Sequence, residues 1–566
     1  MDAKERKIDE LLGALTLEEK VGQMFVFGFN SPFADPVVED LVDRYNVAGL
    51  RTSPYLRRFK RYLPEGSPGI DNVKRPPQLG EKLWDEDTPT YHVRASEYAR
   101  TLAGLRARSR SRKHGIPIHF VVDYEAGSGS NYEPAGMLEL PCQMGFGWLG
   151  DTELLQRATE AVGRQLRAIG FDQSNCPVLG VNQNPMNTGI SIRSYSPDPQ
   201  VVTDCARAAL AGYDRAGFIA AAKHFPGGGV SEVDAHYGVS TVPLSREELD
   251  DVLLHPYRTL IKEGRIRAIM LAHKVYPALD PSEEISTVSR PIVTGVLREE
   301  LGYQGVITTD SMTMGGLMAR HSVQEACVLA IQAGVDVLLL KDDNVLRFEA
   351  LDALTSAVRD GRIPEARLDE SLRRVWSLKW DYGLFEGDGA VDPDEVEAFL
   401  GRDEFRAVNT ECAQRILHVV RRAEGVVPLD PEQQVLVLDQ RTPQQLRVND
   451  ARNHPGMFWQ EMLRHSRNVT YVDYSSKDPH AVDDLVEALA PQVDAVVVTA
   501  NFDRAGSEDT LSWLAGLKRF GKPVIEITNN PYPLLVPEEM ETVLCTYALM
   551  RANLAAAADW LYGQAG

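Results

Sequence analysis

Gly305-Val306-Ile307-Thr308-Thr309-Asp310-Ser311-Met312 is a short apolar run that delivers one carboxylate to its own C-terminal end. The same grammar recurs from Met24 to Leu340. Short runs rich in Val, Ile and Phe stand at Met24–Phe29, Val47–Arg51, Ile118–Asp123, Asn175–Leu179, Phe218–Lys223, Ile266–His273, Gly305–Asp310 and Val335–Leu340. Amphipathic stretches such as Glu153–Ile169, Thr203–Ala216 and Val323–Ala333 lie between them. Strands apolar on both faces, alternating with helices, spell an α/β fold and predict a (β/α)8 barrel of the TIM type. Ionisable residues follow five of these strands: Asp123 with Glu125, Lys223 with His224, His273 with Lys274, Asp310, and Lys341 with Asp342. In a barrel all such ends converge on one mouth, where barrel enzymes do their chemistry.

Outward from the barrel strands, Leu11, Leu12, Leu15 and Val21 recur at helical spacing, and Thr16 with Glu19 has the spacing of a capping box. Between the second and third candidate strands lies a long insertion, residues 55–95, whose Pro64–Pro89 part mixes Pro, Gly and charge. Loops of that length are lids or disordered insertions. Its Arg57, Arg58, Lys60 and Arg61 read as a solvated face, with an anionic substrate group as the alternative. The Arg106–Lys113 run reads as the exposed end of the helix leading into the third strand. Five further apolar runs follow: Val435–Leu438, Val469–Val472, Ala495–Thr499, Val524–Thr528 and Val543–Tyr547. They predict a smaller α/β sandwich domain. The Gly- and Asp-rich stretch Asp381–Pro393 marks the junction, so the expected division is a barrel over 1–385, a linker over 386–410 and a sandwich over 411–566.

Composition narrows the class of function. Of 566 residues, 43% are hydrophobic and 25% charged, as in an ordinary globular protein. Sixty Lys and Arg against eighty-one Asp and Glu give a net charge of −21, which argues against nucleic acid or an anionic membrane surface as partner. The six cysteines form no CxxC pair, so a zinc ribbon or disulfide scaffold is not expected. No apolar segment follows the charged Met1–Arg6 opening, and no uncharged run approaches the ~20 residues of a membrane helix. The expectation is a soluble, cytoplasmic protein. Oligomeric state leaves no signal in the chain.

Two segments carry chemistry. Lys223-His224-Phe225-Pro226-Gly227-Gly228-Gly229 leads to Asp234-Ala235-His236. The glycines predict a mobile loop with positive φ values. An Asp two residues before a His can orient the imidazole and raise its pKa, which suits a general acid/base. A phosphate cradle is the rival reading of the glycines, without the surrounding motif it needs. The second segment is the opening octapeptide. Asp310 at a strand end is suited to nucleophilic attack on a sugar, and magnesium ligation is the rival, without evident companion carboxylates.

With these motifs in order, the chain resembles glycoside hydrolase family 3, in its β-N-acetylglucosaminidase branch. The resemblance rests on Leu15–Met24, Asn184-Pro185 with Arg193-Ser194-Tyr195, Lys223–Pro226 with Asp234 and His236, Gly305–Met312, and Glu424–Leu429. It implies a retaining exo-glycosidase acting on terminal β-linked N-acetylglucosamine in oligosaccharides or muropeptides, without metal or organic cofactor. In that reading Asp310 is the nucleophile, His236 the acid/base and Asp234 its orienting carboxylate. Asp123, Arg193, Lys223 and His224 fall where the family binds sugar hydroxyls. The chain departs from the family at several points. Asp123-Tyr124-Glu125-Ala126-Gly127-Ser128 lacks a following Arg, Gly228 replaces a usual His, Ala235 a usual Ser and Gly180 a usual Asp. β-Glucosidase, β-xylosidase, phosphorylase or a non-catalytic sugar-binding relative are the alternatives, and Lys223 leaves a Schiff-base aldolase open.

Overall fold

Eight parallel strands close on themselves because each is short, apolar and followed by a helix that covers its outer face. In chain order they are β1 (Phe25–Phe29), β2 (Gly49–Thr52), β3 (His119–Val122), β4 (Gln173–Ser174), β5 (Ile219–Phe225), β6 (Ala268–Leu271), β7 (Val306–Ser311) and β8 (Val337–Leu340). Each pairs in parallel with the next, and β8 returns to β1 with Phe25 opposite Leu338. The computed structural model describes residues 2–52, 93–127, 136–441, 456–502 and 507–564, apart from Asn30, Thr188, Glu232, Tyr237, Asp343 and Asp388. It adds the backbone of short strands within 53–92 and 442–455. The basic residues Arg57, Arg58 and Lys60 and the Pro64–Pro89 stretch lie mostly outside the described residues. No helix among the described residues is long and apolar enough to cross a membrane.

Two expectations shift here. The fourth strand is displaced from Asn175–Leu179 to Gln173–Ser174, because Pro177 has no N–H to give a ladder; the chain touches β5 again only at Val178, opposite Lys223. Arg106 is not on an exposed helix end. It is 1% exposed and grips Asp172 with two N–H groups at 2.9 and 3.1 Å, beneath the barrel wall. The base of the barrel is closed by the helix Glu365–Asp381, whose Lys379 donates to the carbonyls of Ala48 and Pro117 at 2.8 Å each. The site must therefore open at the other end.

The second sheet has six strands: β9 (His418–Arg421), β10 (Val435–Gln440), β11 (Val469–Tyr474), β12 (Ala495–Ala500), β13 (Val524–Thr528) and β14 (Thr542–Cys545). Their order is β9-β14-β13-β12-β10-β11, all parallel except the edge strand β9. β9 is half-exposed and four residues long, too short to stand out as an apolar run. Alternate residues of the central strands feed two separate cores. Val435, Val437, Val497 and Ile525 face one, and Leu436, Leu438, Val496 and Val498 the other.

This sheet packs against the barrel. Ile416, Cys545 and Tyr547 belong to the barrel's own apolar cluster, and Trp148 stacks on His418 with centroids 4.6 Å apart. Asn530, just beyond β13, donates to the Ser191 hydroxyl at 3.2 Å, and the Tyr532 hydroxyl lies 2.6 Å from the Asn182 amide. The insertion takes part as well. The backbone of Thr90–Tyr91 pairs in parallel with Arg447–Val448, and that of Tyr91–His92 antiparallel with Tyr55–Leu56.

Glu526 on β13 is fully buried, and neither carboxylate oxygen has a hydrogen-bond partner among the described residues. Burial pushes its carboxyl up to about 8 from an ordinary value of 4.5. Between those values the folded state binds more protons than the unfolded one, so its contribution to stability falls as pH rises, by about 1.4 kcal/mol per unit. Glu526→Gln removes this dependence. Thermal melts of the two proteins at pH 5 and pH 8 are expected to show the variant gaining on the wild type at the higher pH, and equal differences at both would refute the assignment.

Candidate active site

The mouth is assembled from the C-terminal ends of β2, β3, β5, β6, β7 and β8. β7 presents Asp310, whose Oδ1 accepts from the Ser311 N–H at 2.7 Å. The turn behind it is braced. Ser311 Oγ lies 2.8 Å from Thr313 Oγ1 and accepts from the Lys341 N–H at 3.2 Å, and Thr313 in turn donates to Asp342. His224 brings Nε2 to 3.7 Å from the other Asp310 oxygen. Burial works against ionisation of Asp310, but the charged forms of His224, His273 and His236, with Lys341, outweigh it at the low pH where the carboxyl titrates and put it well below its ordinary range. His224 itself is pushed down to about 3, first by burial and then by Lys223, so it meets the carboxylate as a neutral imidazole. His273 donates from Nε2 to the Ser311 carbonyl at 3.0 Å, which fixes its tautomer and steadies the strand end.

The Asp234–His236 loop reaches the same mouth. Asp234 Oδ1 accepts from His236 Nδ1 at 2.7 Å and from the His236 backbone N–H at 3.0 Å. Nδ1 is thereby the protonated nitrogen, and Nε2 is left for proton transfer. The loop is docked on the turn after β7. Gly316 donates to the Ala235 carbonyl at 3.0 Å and Gly315 to the His236 carbonyl at 3.3 Å. A Cβ on Gly316 would stand 2.8 Å from that Ala235 oxygen.

The run Gly227–Gly229 differs from its expected role as a freely moving hinge. Only Gly227 has a positive φ, 124°. A Cβ at Gly229 would stand 1.9 Å from the Val181 carbonyl oxygen, and one at Gly228 2.8 Å from Lys274 Cε. Two of the three glycines thus serve close packing.

A third group of charges surrounds one buried acid. Glu125 accepts from Arg193 Nε at 2.6 Å and Nη2 at 2.8 Å, and from Lys223 Nζ at 2.5 Å. Burial opposes its ionisation, but Arg193 and Lys223 hold it far below the usual carboxylate range. Asp123 accepts from Arg51, through Nε at 2.9 Å and through Nη2, and from Asn175 Nδ2 at 2.8 Å. Burial opposes the Asp123 charge too, and Arg51 with Lys223 lowers its pKa. Asp123, Arg193, Lys223, His224, Asp234, His236 and Asp310 therefore share one electrostatic neighbourhood: Arg193 acts on both Asp234 and Asp310. Sequence reasoning missed Arg51 and Asn175 as supports of Asp123. Arg51 closes an expected strand, so the rule that singled out the other strand-end charges applies to it equally. The Arg missing after Glu125 would fall at position 128, outside the described residues. Among the described residues, no three His, Cys, Asp or Glu side chains gather as a metal-binding group.

The pattern of the glycosyl hydrolase family 3 N terminal domain matches residues 88–378. The chain belongs to that family. Beta-hexosaminidase A of Pseudoalteromonas piscicida is 30% identical over 354 residues, covering 59% of this chain and 58% of that one. The Beta-hexosaminidase of Bordetella parapertussis is 35% identical over 284 residues, 49% of this chain and 78% of its own. The chain spans about three fifths of the length of the Pseudoalteromonas relative. A solved family 3 beta-N-acetylglucosaminidase from Paenibacillus sp. str. FPU-7 superposes with a TM-score of 0.82 at 28% identity over 98% of both chains.

The Glu125 cluster makes a direct test of how this family member builds its pocket. Glu125→Gln leaves Arg193 and Lys223 buried without their shared anion, a change that typically costs about 3–5 kcal/mol. Calorimetry is expected to show a fall of several degrees in melting temperature, whereas an unchanged melt would mean the cluster is not structurally coupled.

Proposed function

We propose that this protein is a retaining exo-glycoside hydrolase that removes terminal β-linked N-acetylglucosamine through a covalent glycosyl ester on Asp310. The observation that carries the reading is the docking of an oriented Asp234–His236 pair onto the turn that follows Asp310. A nucleophile held ionised and a histidine with one nitrogen fixed then face a single opening. The names of the hexosaminidase relatives support the sugar.

In the first step the Asp310 carboxylate attacks the anomeric carbon, and the bond to the leaving oxygen breaks as protonated His236 gives that oxygen its Nε2 proton. Asp234 holds Nδ1–H and favours the imidazolium before transfer. In the second step neutral His236 takes a proton from water, the water oxygen attacks the anomeric carbon and Asp310 leaves. His224 stays neutral beside Asp310 and so does not quench the nucleophile as an ion pair would. Asp123, Arg193 and Lys223 are read as the contacts for sugar hydroxyls of aminosugar-containing oligosaccharides or muropeptide fragments met in the cytoplasm. Lys223 is committed to Glu125, the opposite of the unpaired amine that Schiff-base chemistry needs.

One observation favours a second reading. A histidine acid/base, unlike a carboxylate, does not repel an incoming phosphate, so phosphorolysis competes with hydrolysis in the second step. Product analysis with and without phosphate separates the two.

On an aryl β-N-acetylglucosaminide, Asp310→Ala is expected to lose roughly four orders of magnitude or more in kcat, as when a member of a unit acting together is removed. Undiminished turnover would overturn the nucleophile. A panel of aryl β-glycosides is expected to place the aminosugar first, and a glucoside or xyloside turned over faster would replace it.

A further inference from the structure

Lys274 follows β6 as one of the ionisable strand ends, yet its ammonium group is turned into the protein. The residue is 8% exposed, and the partners of Nζ are hydroxyls, with Asp234 acting on it only at longer range. Its backbone lies in a two-residue strand, Lys274–Val275, parallel to Ser240–Thr241, with Ser240 directly opposite. Nζ donates to Ser240 Oγ at 3.1 Å and to Ser231 Oγ. These two serines, fully or nearly fully buried, stand on either side of the segment that carries Asp234 and His236. One ammonium group thus joins both feet of the loop.

The rest of the anchorage supports the same geometry. Asn187 Nδ2 donates to the Gly228 and Ser231 carbonyls at 2.7 and 2.6 Å, and Asn184 N–H to the Gly229 carbonyl at 3.2 Å. Ser231 Oγ also donates to the Gly228 carbonyl at 3.1 Å. The lysine stem runs against Gly228, where any side chain would obstruct Cε. A buried ammonium held by hydroxyls rather than in an ion pair is costly. Burial accordingly pushes Lys274 down to about 8, against the pull of Asp234. An apolar residue would fill this short strand at less cost, so stability alone does not account for the choice.

We infer that Lys274 is a positioning residue of the reaction: by tying Ser231 to Ser240 it holds His236 in the place from which its proton reaches the leaving oxygen. This rests on the reading of His236 as the acid/base. Lys274 touches no reacting atom and acts through the loop. A misplacement of about 1 Å at a catalytic group is enough to cost on the order of 100-fold.

The test uses the leaving group as the probe, on the full chain. Aryl β-N-acetylglucosaminides with a dinitrophenyl group depart with little need of a proton, whereas phenyl requires one. His236→Ala calibrates the assay and is expected to lose kcat/KM steeply with phenyl and weakly with dinitrophenyl. Lys274→Met keeps the apolar stem and removes the donors. It is expected to lose about 10- to 100-fold in kcat/KM on the phenyl substrate and less than about threefold on the dinitrophenyl one. The pair Ser231→Ala with Ser240→Ala should reproduce that pattern, and adding Lys274→Met to it should cost nothing further. The serine pair also serves where Lys274→Met fails to fold. An equal loss on both substrates, or none, in variants that melt like the wild type would overturn the role of Lys274 while leaving His236 in place. A His236→Ala variant without leaving-group dependence would remove the acid/base reading, and the role of Lys274 with it.

Discussion

Glu125 is the fixed point of the mouth. One buried carboxylate holds Arg193 with two hydrogen bonds and Lys223 with a third, and so joins the end of β3, the loop after β4 and β5. Lys223 is followed in the chain by His224, which faces Asp310. Arg193 reaches electrostatically to both Asp234 and Asp310. Charges of this kind are expensive to bury singly, and together they fix one another's positions. The pocket is therefore preorganised in polarity: anions at Asp123, Glu125 and Asp310, cations between them, and beside Asp310 the His224 imidazole, pushed down to about 3.

Much of this was legible in the sequence, for a physical reason. Parallel strands buried on both faces must be apolar, so an ionisable residue can stand only where the strand ends, and the barrel gathers those ends on one side. That logic located Asp123, Lys223, His224 and Asp310, and the spacing of Asp234 and His236 located the pair on the loop. What stayed hidden depends on partners distant in the chain. Arg51 could be seen as a strand end but not as the support of Asp123, 72 residues away. Arg106 looked like surface charge because its partner, Asp172, belongs to another element. The glycines at 227–229 read as freedom, whereas two of them answer to a carbonyl and a lysine stem that only the folded chain brings near.

The second sheet is tied to the chemistry through a short relay. Asn182 lies beside the Tyr532 hydroxyl, and in the orientation that satisfies its amide it donates to the Gly229 carbonyl at 2.9 Å, at the base of the loop that carries Asp234 and His236. The C-terminal ends of the sandwich strands thus meet the barrel close to where the loop begins. The packing of the sandwich helps define the base of the loop that carries Asp234 and His236.

The pairing of Thr90–Tyr91 with Arg447–Val448 has a consequence for how the chain can be divided. Removing the sandwich from the barrel would leave the 90–92 backbone as a sheet edge paired on one side only, and would uncover the apolar barrel cluster that Cys545 and Tyr547 now complete. An open edge beside exposed apolar surface is a template for self-association. The barrel and the sandwich are two architectures that share one apolar seam.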